Sequence, residues 1–140
     1  MVLVDSSIRI EAFRRNGDVR VKLAVKSLIA EYQAARCSVV KGEVIGGARP
    51  EERKHLVADF ALIPYLQVIE KDWDWAVAAA WRLQTKGLVV KLTDLLVAAV
   101  AERCNLRVYA QDKHFEMMLD HLGIRLYQPG YNGMFNAEEG

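Results

Sequence analysis

Cysteine is scarce in this chain: Cys37 and Cys104 are the only two in 140 residues. Each lies among apolar neighbours, neither belongs to a C-x-x-C pair, and neither has a histidine close by. That argues against a disulfide framework and against zinc, and for two buried free thiols in a reducing compartment. Proline is also rare, with Pro50, Pro64 and Pro129 far apart, so no Pro/Gly-rich linker divides the chain. Long apolar runs are missing. The longest, Leu95 to Ala101, is far short of the roughly 18 residues that a spanning helix needs. At the N-terminus Asp5 brings a charge too early for a secretory signal, and no basic segment precedes it. The expected setting is the cytoplasm. An excess of either charge is absent as well: 19 Lys and Arg against 18 Asp and Glu leave +1. A strongly basic chain would announce phosphate binding through its total charge, so here any such claim must rest on a site.

What remains is an ordinary globular composition, 52% apolar and 26% charged. The length suits one domain and is enough to bury a core without staples. Val2-Leu3-Val4 is an apolar run stopped by Asp5 and reads as a buried strand. Asp5, Ser6 and Ser7 can each cap a helix carrying Ile8, Ile10, Ala12 and Phe13, which Asn16-Gly17 would end by tolerating positive φ. Apolar spacing from Val19 to Tyr32 is helical. A strand at Ala35–Cys37 follows, then a helix from Val39 to about Ala48 with Ser38 as its cap, then a helix started by Pro50. Tyr65–Ile69 is a strand or an extended connector. Asp72 or Asp74 opens a helix over Trp75–Lys86, closed by Gly87, and Thr93 caps a helix from Asp94 to about Cys104 that is apolar nearly all round. Leu106–Ala110 and Ile124–Tyr127 are strands around a helix over Lys113–Leu122. The expected fold class is therefore α/β: a central, mostly parallel sheet of about five strands flanked by helices. Residues 1–127 would form the domain, and 128–140 a loosely ordered tail.

Four acids stand where such a fold places ligands, near the carboxyl ends of its strands. Asp5 closes the first strand. Asp112 follows the strand ending at Ala110. Asp94 opens the buried helix, and Glu43 lies in a helix just past a short strand. Each alone has a plain explanation as a cap, a dipole partner or a solvated side chain. Together they are harder to dismiss, because Asp5 and Asp94 adjoin fully apolar runs where an ionised carboxylate suffers desolvation. No pattern of Lys or Arg offers a partner, whereas a divalent cation would. Converging carboxylates suit the hard ions Mg²⁺ and Mn²⁺, and such a site suits phosphodiester hydrolysis.

These segments resemble the PIN-domain family and, in size and layout, the VapC-type toxins of bacterial and archaeal toxin–antitoxin pairs. The likeness runs over roughly residues 1–127. It is carried by Val2-Leu3-Val4-Asp5-Ser6-Ser7, by Glu43-Val44-Ile45-Gly46-Gly47, by Thr93-Asp94-Leu95-Leu96, and by Asp112 followed by His114-Phe115. The resemblance implies a Mg²⁺ or Mn²⁺ site held by Asp5, Glu43, Asp94 and Asp112, and endoribonuclease activity with Glu43 or Asp94 orienting the attacking water. It also implies a homodimer and a cognate antitoxin that blocks the acidic pocket. Ala110 departs from the pattern, since the family often has Thr or Ser there. An alternative reading is a non-catalytic PIN-like module that binds protein or RNA. An aspartyl-phosphate phosphatase is disfavoured because Ser7 stands where a second acid belongs. Glu116, one helical turn past Asp112, is a further possible carboxylate. Arg9 and Lys113 are the cations nearest the acids in sequence. Trp73, Trp75 and Trp81 are expected in the core or an interface, with base stacking the less favoured role.

Overall fold

Among the described residues, 1–111 and 113–137, the computed structural model holds four strands and seven α-helices. Strand β1 (Val2–Val4) lies inside the sheet, pairing in parallel with β2 (Ala34–Cys37) on one side and β4 (Arg107–Tyr109) on the other. Strand β3 (Tyr65–Leu66) adds to β2, giving the order β3-β2-β1-β4. The fifth expected strand contributes one parallel bridge, Val108 to Leu126. The N–H of Val108 donates to Arg125 (2.9 Å) and that of Tyr127 to Val108 (2.8 Å). Pro129 follows two residues later and has no N–H to extend the ladder.

Successive residues of a strand face opposite sides, and β1 feeds a separate core on each. Val2 and Val4 pack with Ile8 of α1 (Ser6–Phe13) and with Val21, Val25 and Leu28 of α2 (Val19–Ala30). Leu3 belongs to the larger cluster on the other side. That cluster draws on α3 (Ser38–Gly46), α4 (Pro50–Ala61), α5 (Glu70–Gln84), α6 (Leu92–Arg103) and α7 (Lys113–Leu122). Helix α6 is buried at every position from Asp94 to Ala101, as its uniformly apolar sequence requires.

Several local expectations change in detail. Helix α5 begins at Glu70, ahead of Asp72, because the Asp72 carboxylate folds back to accept the Ile69 N–H (2.9 Å). Asp72 also receives both Nε (2.9 Å) and Nη2 (3.0 Å) of Arg103, a paired geometry that fastens α5 to α6. Helix α6 starts at Leu92, so Thr93 sits inside it rather than capping it. Gly17 ends the first helical segment for a different reason from the one expected. It has no positive φ; instead a Cβ there would lie 2.0 Å from the Glu11 carbonyl oxygen. Trp75 packs against the core, but Trp73 and Trp81 are exposed. Both cysteines are free, Cys37 buried and Cys104 partly so.

Past Tyr127, the described residues through Asn136 turn back against α2 and Tyr127. The N–H of Phe135 donates to Ser27 Oγ (2.9 Å), the N–H of Asn136 donates to the Tyr127 hydroxyl (3.0 Å), and Phe135 stacks on Tyr127 at 6.2 Å. A 3-10 turn, Tyr131–Gly133, carries this segment past α2. Gly133 has φ 79 and a Cβ there would meet the Ala24 nitrogen at 2.7 Å, so no other residue allows this approach.

Candidate active site

Asp5 is where β1 stops and α1 starts. Its backbone is extended, and its side chain caps the helix: Oδ2 accepts from the Ser7 N–H (3.2 Å) and from the Ser7 hydroxyl (2.7 Å). The cap fixes the carboxylate's orientation and turns the other oxygen inward. Asp5 is 2% exposed, and its Oδ1 is buried without a hydrogen-bond partner. Burial pushes its pKa up to about 6, the Ser7 hydrogen bonds pull it down, and the nearby charge of Asp94 pushes it up again. Asp94 stands in the first turn of α6 and is 5% exposed. The parallel sheet thus brings together, across 89 positions of sequence, two carboxylates that interact electrostatically in a desolvated place.

Glu43 is held differently. It is exposed on α3 and accepts a hydrogen bond from the Ser6 hydroxyl (3.2 Å), so adjacent serines of α1 serve the two acids. Cys37, at the end of β2, feels both Asp5 and Glu43, which places its thiol between their fields; burial is the main cause of its raised pKa. Ser7 Oγ also accepts from the Gln111 N–H (3.2 Å), tying the exit of β4 to the Asp5 cap. Asp112 is the next residue in sequence and lies outside the described residues, as does the side chain of His114. Among the described residues no group of three or more His, Cys, Asp or Glu is arranged to hold a metal. Of the four sequence candidates, then, Asp5 and Asp94 interact electrostatically, and Glu43 accepts from the serine next to the one that holds Asp5. Ala110 is half-buried between β4 and Gln111, and Glu116 and Lys113 are exposed.

The donor set fits a hard cation. An orphaned carboxylate oxygen in a buried cap, with a second carboxylate raising its proton affinity, is relieved when a positive ion arrives. Among the described acids, Asp5 and Asp94 could hold one.

One cluster escaped the sequence reading. Arg36 of β2 is 1% exposed, stacks on Phe60 at 4.0 Å, and leaves Nε and Nη1 without hydrogen bonds. Arg9, one of the two cations nearest the acids in sequence, is 4% exposed and reaches Asp59 at 3.4 Å. Burial lowers both, Arg36 to about 9 and Arg9 to about 10. Arg9 contributes to the shift of Arg36, while Asp59 opposes both. The available signal was an arginine inside the strand Ala34-Ala35-Arg36-Cys37, flanked by small apolar residues.

A family model described as the PIN domain matches residues 2–118. The chain belongs to the PIN-domain family. Comparison with curated protein sequences gives no significant match. Solved structures similar to this PIN domain include FitAcB from Neisseria gonorrhoeae, at 19% identity and a TM-score of 0.73 over 91% of this chain and 97% of that one. VapBC2 from Rickettsia felis, bound to a DNA fragment from its promoter, is 18% identical with a TM-score of 0.73, over 91% and 98% of the two chains. Mycobacterium tuberculosis VapC20, a Sarcin-Ricin loop cleaving toxin, is 21% identical with a TM-score of 0.61, over 84% and 94%. At these identities the likeness is one of fold. The four-stranded parallel PIN sheet puts Asp5 at the end of a strand that has a neighbour on each side.

Proposed function

We propose that this PIN domain is a Mg²⁺- or Mn²⁺-dependent endoribonuclease and the toxin of a toxin–antitoxin pair. The observation that carries the reading is the buried Asp5 carboxylate, clamped through Oδ2 by Ser7 while Oδ1 has no partner and Asp94 stands close by. A cation there would be held by Asp5 and Asp94, with Asp112 and Glu43 completing the acidic set. When bound, it supplies Lewis acidity toward a phosphodiester. The chain's own residues do the rest. Ser7 holds Asp5 by its hydroxyl, and the neighbouring Ser6 hydroxyl donates to Glu43. Glu43 is exposed, so it orients water and accepts its proton as the water oxygen bonds to phosphorus and a ribose oxygen leaves. The toxin reading draws on the PIN family and on the toxin–antitoxin proteins among its structural neighbours. It carries with it a cognate antitoxin, a homodimer and a cytoplasmic setting.

The test is cleavage of single-stranded RNA with Mg²⁺ or Mn²⁺ and with EDTA, comparing wild type with Asp5→Asn. Metal-dependent cleavage by the wild type and its loss in the variant is the expected result. Equal cleavage by both proteins ends the assignment. The second reading, a non-catalytic binding module, draws on Ala110, which stands where the family often has Thr or Ser. It requires stable RNA or protein binding with no cleavage under any metal.

A further inference from the structure

A polar cavity of about 840 Å³ opens beside β4, floored by Asp18, Arg20 and Val21 at the start of α2 and walled by two more distant parts of the chain. One wall is Ala110-Gln111, at the carboxyl end of β4. The other is the segment from Gln128 to Gly133. The first wall belongs to the acidic site's surroundings: the Gln111 N–H donates to Ser7 Oγ, and the Ser7 hydroxyl donates to Asp5. The second wall lies beyond residue 118, where the match to the family model ends.

We infer that the segment 128–136 is a substrate-binding element, with Tyr131 as a stacking platform for a base of single-stranded RNA next to the acidic site. This rests on the ribonuclease reading and deepens it.

The turn that presents Tyr131 is built to be stiff. Gly130 N–H donates to the Met134 carbonyl (2.8 Å), Gly133 N–H to the Gly130 carbonyl (3.0 Å), and Met134 N–H to the Tyr131 carbonyl (3.1 Å). Gly133 seats the turn against Ala24, and the hydrogen bond from Phe135 to Ser27 anchors its far side. On this fixed support the Tyr131 ring is 83% exposed. An aromatic ring held out in water by a rigid turn gains nothing for the fold, whereas a rigid ring at a cavity mouth stacks a base at little entropic cost.

The rest of the lining suits a nucleotide better than a peptide helix. Gln111, Gln128 and Asn132 offer amide donors and acceptors of the kind that read base edges. Arg20 is paired with Asp18 (3.4 Å) and Glu116 also lines the cavity, so recognition there falls to the amides and the ring rather than to charge. A docking helix would instead need an exposed apolar stripe, and the apolar lining here, Val21, Tyr109 and Tyr127, is buried. The chain's charge of +1 gives no general attraction to RNA, so local stacking has more to do.

The experiment is equilibrium binding of a fluorescein-labelled single-stranded RNA 12-mer of mixed sequence, by anisotropy, to the full chain in EDTA. EDTA halts cleavage, so the readout is affinity alone. Tyr131→Ala should weaken binding by roughly tenfold or more, the scale of one lost base–aromatic stack. Tyr131→Phe keeps the ring face and should bind like wild type. Gly133→Ala should reproduce the loss by displacing the turn, with the far-UV circular dichroism unchanged. Wild-type binding that Tyr131→Ala leaves unaltered overturns the inference and spares the ribonuclease reading. No RNA binding by the wild type in EDTA overturns the inference, and the ribonuclease reading stands or falls separately on cleavage of the same RNA with Mn²⁺. Weakened capture of a protein partner by Tyr131→Ala, with RNA binding intact, also overturns the inference and assigns the wall to a protein contact.

Discussion

Asp5 carries a charge that its surroundings oppose. Its unfolded pKa is near 3.8 and its folded pKa is about 6, chiefly through burial. Below pH 3.8 both states are protonated and the group has no effect on stability. As pH rises from there, the unfolded state ionises first, so metal-free protein loses stability until about pH 6 and stays at the lower level above it. The shift corresponds to ~3 kcal/mol. Asn is an equally good helix cap and carries no charge. In EDTA, Asp5→Asn should therefore melt higher than wild type at pH 8 and no higher at pH 3.5, by calorimetry at the two pH values. Added Mn²⁺ should raise the wild-type Tm and leave the variant's unchanged. Identical pH profiles would show that the carboxylate is not desolvated. Cys37 gives a second check at this scale. Its thiol is fully buried and its pKa raised by that burial, while Cys104 is partly exposed. Iodoacetamide on the native protein should modify Cys104 and spare Cys37 until denaturant is added, as peptide mass spectrometry would record.

Between elements, charge placement matters as much as apolar packing. Arg9 of α1, Arg36 of β2 and Asp59 of α4 form a cluster with two guanidiniums and one carboxylate around the Phe60 ring. Neutralising the carboxylate leaves two buried cations facing one another, a situation that commonly costs several kcal/mol. Asp59→Asn should lower stability by roughly 2 kcal/mol, the smaller value because Asp59 is partly exposed. In an Arg36→Met background the same substitution should cost markedly less, since one cation has gone and an unbranched apolar chain fills its place. A double-mutant cycle by urea unfolding measures the difference, and a coupling of zero would dissolve the cluster as an energetic unit. Helix α6 makes the complementary point. Its apolar run is legible in sequence because every face is buried, but the interaction of Asp94 with Asp5 exists only because α6 packs under the sheet.

At the scale of the whole molecule, the segment from Gln128 to Asn136 joins the fold. Ser27, Tyr127 and the backbone of α2 all engage it, and Gly133 is buried in the contact. A chain ending at Tyr127 should thus melt at least about 5 °C lower than the full chain, given that a loss of 1 kcal/mol moves the Tm of a domain this size by several degrees. An unchanged Tm would make the segment an ornament on an independent domain. The wall it adds to the cavity beside β4 should vanish with it, which ties this measurement to the RNA-binding series above.

The sequence by itself determined the α/β class, the parallel sheet and the order of its elements. Apolar periodicity and the caps at Asp5, Pro50 and Gly87 are local properties, and local properties survive in a one-dimensional record. It also pointed to Asp5 and Asp94, because an acid beside an unbroken apolar run is visible as a contradiction. Tertiary structure decided what the contradiction means. Whether Asp5 Oδ1 finds a partner depends on Ser7 taking the other oxygen and on α6 arriving from far along the chain. The same holds for Arg36, which reads as an ordinary strand residue until Arg9, Asp59 and Phe60 close around it. Burial and charge pairing are set by neighbours in space, and no window of sequence contains them.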